Sequence, residues 1–135
     1  MMPALNKRPP NAPVFADSPV VAAAPERYAE IMIDAAKVLQ DWRQSLLAHE
    51  LIDKNGFVKG DDDITETRLE KRERIRLRLE AGQALEKPIL GIGMFDNVEI
   101  GSGSDILTTL VMEGVTVLPV HVRTSQLAEF CAFKV

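Results

Sequence analysis

Cysteine occurs once in this chain, at Cys131, which excludes an internal disulfide framework and a cysteine-rich zinc site and fits a reducing cytosol. Histidine occurs twice, at His49 and His121, with no Cys or His companion at ligand spacing. No histidine-based metal centre is expected, and both rings are read as structural. No apolar run approaches the roughly 18–20 residues of a membrane-spanning helix. Residues 1–19 lack the continuous apolar core of a secretory signal, so no membrane contact is expected and a cytoplasmic location is. Positive charge is in the minority: 16 Lys and Arg against 20 Asp and Glu give a net charge of −4 and a pI near 5.2. That excludes a globally basic nucleic-acid coat, although not a local basic patch.

What is there suits one hydrophobic core. The 135 residues are 46% hydrophobic and 27% charged, with a mean hydropathy of −0.02, in the range of ordinary soluble domains. Six of the eight prolines (Pro3, Pro9, Pro10, Pro13, Pro19 and Pro25) fall in the first 25 residues. Proline removes donors and fixes the backbone, so residues 1–24 are expected to form a flexible arm without regular elements. From Pro25, the residues Tyr28, Met32, Ala35, Leu39, Trp42 and Leu46 recur every three or four positions, predicting one face of a helix to about His49. Trp42 on that face is read as core or interface. Asn55-Gly56 between Leu51-Ile52 and Phe57-Val58 signals a small hairpin. The acidic positions around it do not make a calcium loop, because Val58 stands where that loop needs glycine.

Asp63 and Glu66 have the spacing of a capping box, predicting a second helix over 64–84. Asp61, Asp62 and Asp63 are read as a solvated loop and cap rather than a cation site. After Pro88 the period becomes that of strands, at 89–92 and 98–100. The residues Gly101, Ser102, Gly103 and Ser104 form a tight loop, a helix covers 105–113 and ends at Gly114, and a strand covers 115–122. Pro119 predicts an edge or end position for that strand. A last helix, 126–133, is capped by Thr124 or Ser125 and buries Cys131 as a small hydrophobe. The expected class is α+β: N-terminal helices, then a small mixed sheet with one short packed helix. Its divisions are an arm (1–24), a helix and turn (25–63) and an α+β unit (64–135).

Two segments can carry chemistry. The Gly101–Ser104 loop, residues 101–104, stands between a strand and a helix N-terminus, a setting that favours an anion. It is neither a dinucleotide fingerprint nor a Walker sequence, Asp105 suits a helix cap better than a phosphate neighbour, and no base is evident for a serine nucleophile. The second segment, 68–78, sets Arg68, Lys71, Arg72, Arg74, Arg76 and Arg78 against Glu70 and Glu73. Arg68, Arg72 and Arg76 repeat every four residues and share one helix face, which suits phosphate or an acidic partner; a solvated face of alternating charge is the plainer alternative.

Counting from Gly103, Gly114 follows eleven residues later and Pro119 five after that, then apolar Val120 and Val122. Upstream, residues 75–86 lead to Pro88 and Ile89. Over residues 68–122 this resembles the core of the ParB/sulfiredoxin-like domain, in which a helix and a Pro-Ile strand entry precede a strand, a glycine, a short helix, a second glycine and a Val-Pro-Val strand. In that family the positions after the first glycine bring a histidine or acidic residue and then a phosphate-binding arginine, and sulfiredoxins place their catalytic cysteine there. Here those positions hold Ser104, Asp105 and Ile106. The resemblance therefore implies the fold without sulfiredoxin chemistry and without the main phosphate anchor of the cytidine-triphosphate switch.

The expected function is that of a non-catalytic regulatory protein of a bacterium or mobile element, needing no cofactor or metal. It binds DNA or a DNA-handling protein through Arg68, Arg72, Arg74, Arg76 and Arg78. On that reading, replacing Arg72 and Arg76 by Glu abolishes binding without unfolding the chain. One alternative, implied by the resemblance to fertility-inhibition factors, is a nuclease or nucleotide hydrolase with Gly101, Ser102, Gly103 and Ser104 as its phosphate pocket and a divalent ion at Asp105 or Glu99. Another is a pure protein-interaction module using the arm and the Trp42 face.

Overall fold

The structure, a computed structural model, describes residues 12–135. Pro3, Pro9 and Pro10 of the expected arm lie outside the described residues. The class is α+β, with a mixed four-stranded sheet in the order β2-β6-β4-β5 and a separate parallel pair, β1 with β3. In chain order the elements are β1 (Val14–Ala16), α1 (Pro19–Ala23), β2 (Tyr28–Asp34), α2 (Ala35–Trp42), α3 (Glu66–Glu80), β3 (Ala84–Glu86), β4 (Ile89–Ile92), β5 (Val98–Ser102), α4 (Ser104–Met112) and β6 (Val117–Arg123). Single 3₁₀ turns stand at Pro25–Arg27, Ala48–Glu50 and Asp61–Asp63, and a longer 3₁₀ segment covers Thr124–Phe133. Among the described residues no helix is long and apolar enough to cross a membrane.

The N-terminal region departs most from the sequence reading. Residues 14–16 and 19–23 are regular elements, not an arm. Val14, Phe15 and Ala16 pair in register with Ala84, Leu85 and Glu86. Pro19 opens α1, where its missing N–H costs nothing, and Ser18 caps that helix by accepting from Val20 N. Tyr28–Asp34 is a strand rather than the first half of a helix. Its residues alternate as well as they recur, and pairing with β6 decides between the two periods: Ile31 faces Val120 and Ile33 faces Leu118 across the ladder. The helix begins only after Asp34, whose carboxylate accepts from Lys37 N at 3.2 Å. It stops at Trp42, which leaves Leu46 83% exposed instead of on a buried face.

Register places Ile31, Ile33, Leu118, Val120, Val122 and Leu90 on one face of the sheet. All six are buried, and Val38, Leu39 and Trp42 of α2, Ile75 of α3 and Leu107 and Leu110 of α4 join them in a single core. Each such side chain contributes roughly 1.5–3 kcal/mol through burial. Trp42, 2% exposed, is therefore core and not an interface.

β6 is central rather than an edge strand. Its Pro119 is tolerated because His121 N bonds to Pro88 O, which puts the N of Pro119, two residues earlier, on the same side. That side lies before the start of β4, where no ladder carbonyl awaits a donor. The Leu51–Val58 hairpin, residues 51–58, forms as expected: Ile52 bridges Val58, and Asp53 Oδ1 accepts from Asn55 N and Phe57 N. The cap of α3 is Thr65, accepting from Arg68 N at 3.2 Å, because Asp63 belongs to the preceding 3₁₀ turn. The C-terminal segment winds with about three residues per turn. It thereby turns Phe130 and Phe133 toward one another, with ring centroids 5.9 Å apart, and leaves Cys131 exposed rather than buried.

Candidate interaction site

The arginine row of α3 points inward. Arg72 is 1% exposed; its Nη1 donates to Lys59 O at 2.9 Å and to Asp61 Oδ1 at 3.0 Å. Arg76 binds both oxygens of Asp61 and, through Nε, Glu113 at 3.0 Å. Arg68 donates to Glu50 at 3.0 Å and to Asp105 at 2.7 Å. Arg68 and Arg76 are eight residues apart, as are Asp105 and Glu113, so both pairs span about 12 Å of helix. The two ion pairs thus lock α3 alongside α4 in one direction and register. Asp105 also complements the positive end of α4, while Arg76 compensates Glu113 at its negative end.

Asp61 is the hub of this lattice. Hydrogen bonds from Arg76 and Arg72 hold its carboxyl well below the ordinary 3.8, at about 2. A carboxyl held low in the folded state adds stability that is complete above its unfolded value and is lost as pH falls through its folded value. The expected result is a urea midpoint that drops between pH 4 and pH 2, and a smaller drop over that window in Asp61→Asn. An identical pH slope in that variant contradicts the assignment.

Of the expected cationic residues, Arg74 and Arg78 remain on the surface with Lys71, and Arg78 donates to Ala84 O. They alternate with the exposed Glu70 and Glu73. The four residues of the glycine-serine loop are divided. Gly101 and Ser102 belong to β5, where Ile89 pairs with Ser102 and Leu90 with Ile100, leaving Gly101 as a bulge. Both line a cleft of about 590 Å³ on the sheet face opposite the core, with Tyr28, Arg123 and Gln126. Gly103 instead caps α4 in a left-handed conformation, and Ser104 is its first residue.

A second cluster ties the N-terminal elements to that same face. Lys87 Nζ lies 2.8 Å from Asp17 Oδ1 and 2.7 Å from Glu30 Oε1. These hydrogen bonds hold the lysine above its ordinary 10.5 and Asp17 below its ordinary value. Buried His121 approaches Asp17 at 3.9 Å, and the ligand atoms of Asp17, Glu30 and His121 fall within 4.8 Å of one another. The spacing would suit a cation, and the lysine ammonium supplies one. Lys87→Met is expected to speed amide exchange in β1 and α1 while leaving β6 protected; equal protection throughout would show that the cluster holds nothing. His49 is a surface residue whose Nδ1 meets Leu46 O at 2.9 Å.

The feature that sequence reasoning missed is apolar. Leu46 and Leu47, after α2, are 83% and 69% exposed; Met94 and Phe95, between β4 and β5, are 95% and 76% exposed. Together they border a groove of about 360 Å³ that also reaches Ser45 and Glu99. Two adjacent pairs of large apolar residues, each in a turn, were the available signal. No family model, curated protein or solved structure gives a significant match to the chain.

Proposed function

We propose that the chain is a non-catalytic regulatory protein that binds a protein partner through Leu46, Leu47, Met94 and Phe95. The observation that carries this reading is their common exposure around one groove, since large apolar side chains gathered on a surface mark contact sites. A DNA-handling partner follows from the resemblance to the ParB/sulfiredoxin-like family, supported by the succession of Pro88-Ile89, β5, Gly103, α4, Gly114 and β6. Direct DNA binding through the arginine row is less well supported. Arg68, Arg72 and Arg76 already face carboxylates, and the remaining cations are interleaved with acids.

Fluorescence anisotropy with duplex and single-stranded DNA tests the choice. At low salt only weak binding with a shallow salt dependence is expected. Tight, steeply salt-dependent binding that is lost when Lys71, Arg74 and Arg78 become Glu overturns the protein-partner reading. The cleft beside Gly101 and Ser102 favours a second reading, a nucleotide hydrolase of the same family type. That reading requires a nucleotide-induced rise in melting temperature that disappears in Arg123→Glu.

A further inference from the structure

The groove between Leu46, Leu47, Met94 and Phe95 is also lined by a carboxylate, that of Glu99, which lines the cleft of Gly101 and Ser102 as well. Glu99 reaches the groove from β5, and its position is fixed by two neutral donors: Ser45 Oγ to Oε1 at 2.6 Å and Asn97 Nδ2 to Oε2 at 3.2 Å. Ser45 and Asn97 are themselves buried. Among the described residues no Lys, Arg or His comes within ion-pair distance of Glu99, although carboxylates elsewhere in the molecule have taken Arg68, Arg72, Arg76 and Lys87. Neutral donors orient the charge without cancelling it, and each carboxylate oxygen retains acceptor capacity. An apolar rim lowers the local dielectric and strengthens whatever cation enters.

Resting on the reading of this patch as a protein-docking surface, we infer that the groove receives an arginine or lysine of the partner, flanked by apolar residues. The aliphatic stem lies against Leu46, Leu47 and Phe95, and the cationic head meets Glu99. Long basic side chains match this division, with apolar carbons on apolar walls and charge at the end. An apolar side chain of the same length would fill the walls but strip water from an unpaired carboxylate, and an acidic one would be repelled. The net charge of −4 favours the approach of a basic segment.

Selection from a displayed library of short random peptides tests the inference, using the full chain and two variants. Wild type is expected to enrich sequences with Arg or Lys at one position beside Leu, Met or Phe. Glu99→Gln, which keeps the size of the side chain and one of its two acceptor oxygens but removes the charge, is expected to lose that basic preference and to bind the selected peptide about tenfold or more weakly. The Leu47→Asp, Phe95→Asp double variant, altered at exposed positions, is expected to enrich nothing. Apolar peptides with no basic position, selected equally by wild type and Glu99→Gln, overturn the role of Glu99 and leave the docking surface standing. The absence of any enrichment by wild type, or enrichment unaffected by the double variant, overturns both.

Discussion

Replacing Arg72 with glutamate is expected to leave the chain largely unfolded at physiological temperature, whereas Arg72→Met folds. The guanidinium is 1% exposed and holds Lys59 O and Asp61, so glutamate there places a carboxylate in the core beside a second one. An unpaired carboxylate at a position this buried costs several kcal/mol or must be neutralised. A small domain has only about 5–15 kcal/mol in total, and the like-charge contact with Asp61 adds to the loss. Methionine fills much of the same volume and leaves Asp61 bonded to Arg76 at the surface. It also removes two guanidinium nitrogens, Nε and Nη2, that are buried without a hydrogen-bond partner among the described residues. Its expected cost is about 1–3 kcal/mol, chiefly for the Lys59 carbonyl left without its donor. Circular dichroism with urea titration distinguishes the pair; a folded, stable Arg72→Glu would show that this side chain is not internal. Reversing Arg72 and Arg76 together is therefore expected to unfold the chain, contrary to the reading of both as surface residues.

Gly103→Ala is expected to destabilise the chain by about 2–5 kcal/mol, well beyond Gly82→Ala. Both glycines have left-handed backbones, with φ of +87° and +70°. A side chain in that conformation costs about 1–2 kcal/mol. The surroundings differ: a Cβ on Gly82 meets nothing within 4 Å, while one on Gly103 lies 2.9 Å from Cα of Pro88. That contact is backbone at the entry to β4 and cannot swing aside, so overpacking adds about 1–3 kcal/mol. Urea midpoints of the two variants measure the difference directly. Equal losses would mean that Gly103 serves only its own dihedral angle and not the seating of α4 against β4.

Local pattern made much of the C-terminal half legible. The strand patterns of β4, β5 and β6 and the glycines on either side of α4 are each determined within a few residues, as is the Asn55-Gly56 hairpin of the N-terminal half. β2 was not, because Tyr28–Asp34 runs without a break into α2 and the two together imitate one helical stripe; only its pairing with β6 separates them. β1 and β3 are three residues each and exist through one another, so neither carries a pattern of its own. Spacing alone puts the arginines of α3 on a helix, with Arg68, Arg72 and Arg76 on one side of it. What the sequence could not show was the destination of that side, since Glu50, Asp61, Asp105 and Glu113 are brought together only by tertiary packing. Leu46 and Phe95 sit in separate turns, and their meeting around Glu99 is likewise a product of the fold.

Site-specific photo-cross-linking in cells tests the docking surface most directly. A photoreactive residue at Phe95, exposed in the patch, is compared with the same residue at Arg74, exposed on α3. The expected result is one discrete protein adduct from position 95, lost when Leu47 and Met94 are both changed to Asp, and none from position 74. Adducts to nucleic acid from position 74, with position 95 silent, would contradict it and return function to the arginine-rich helix.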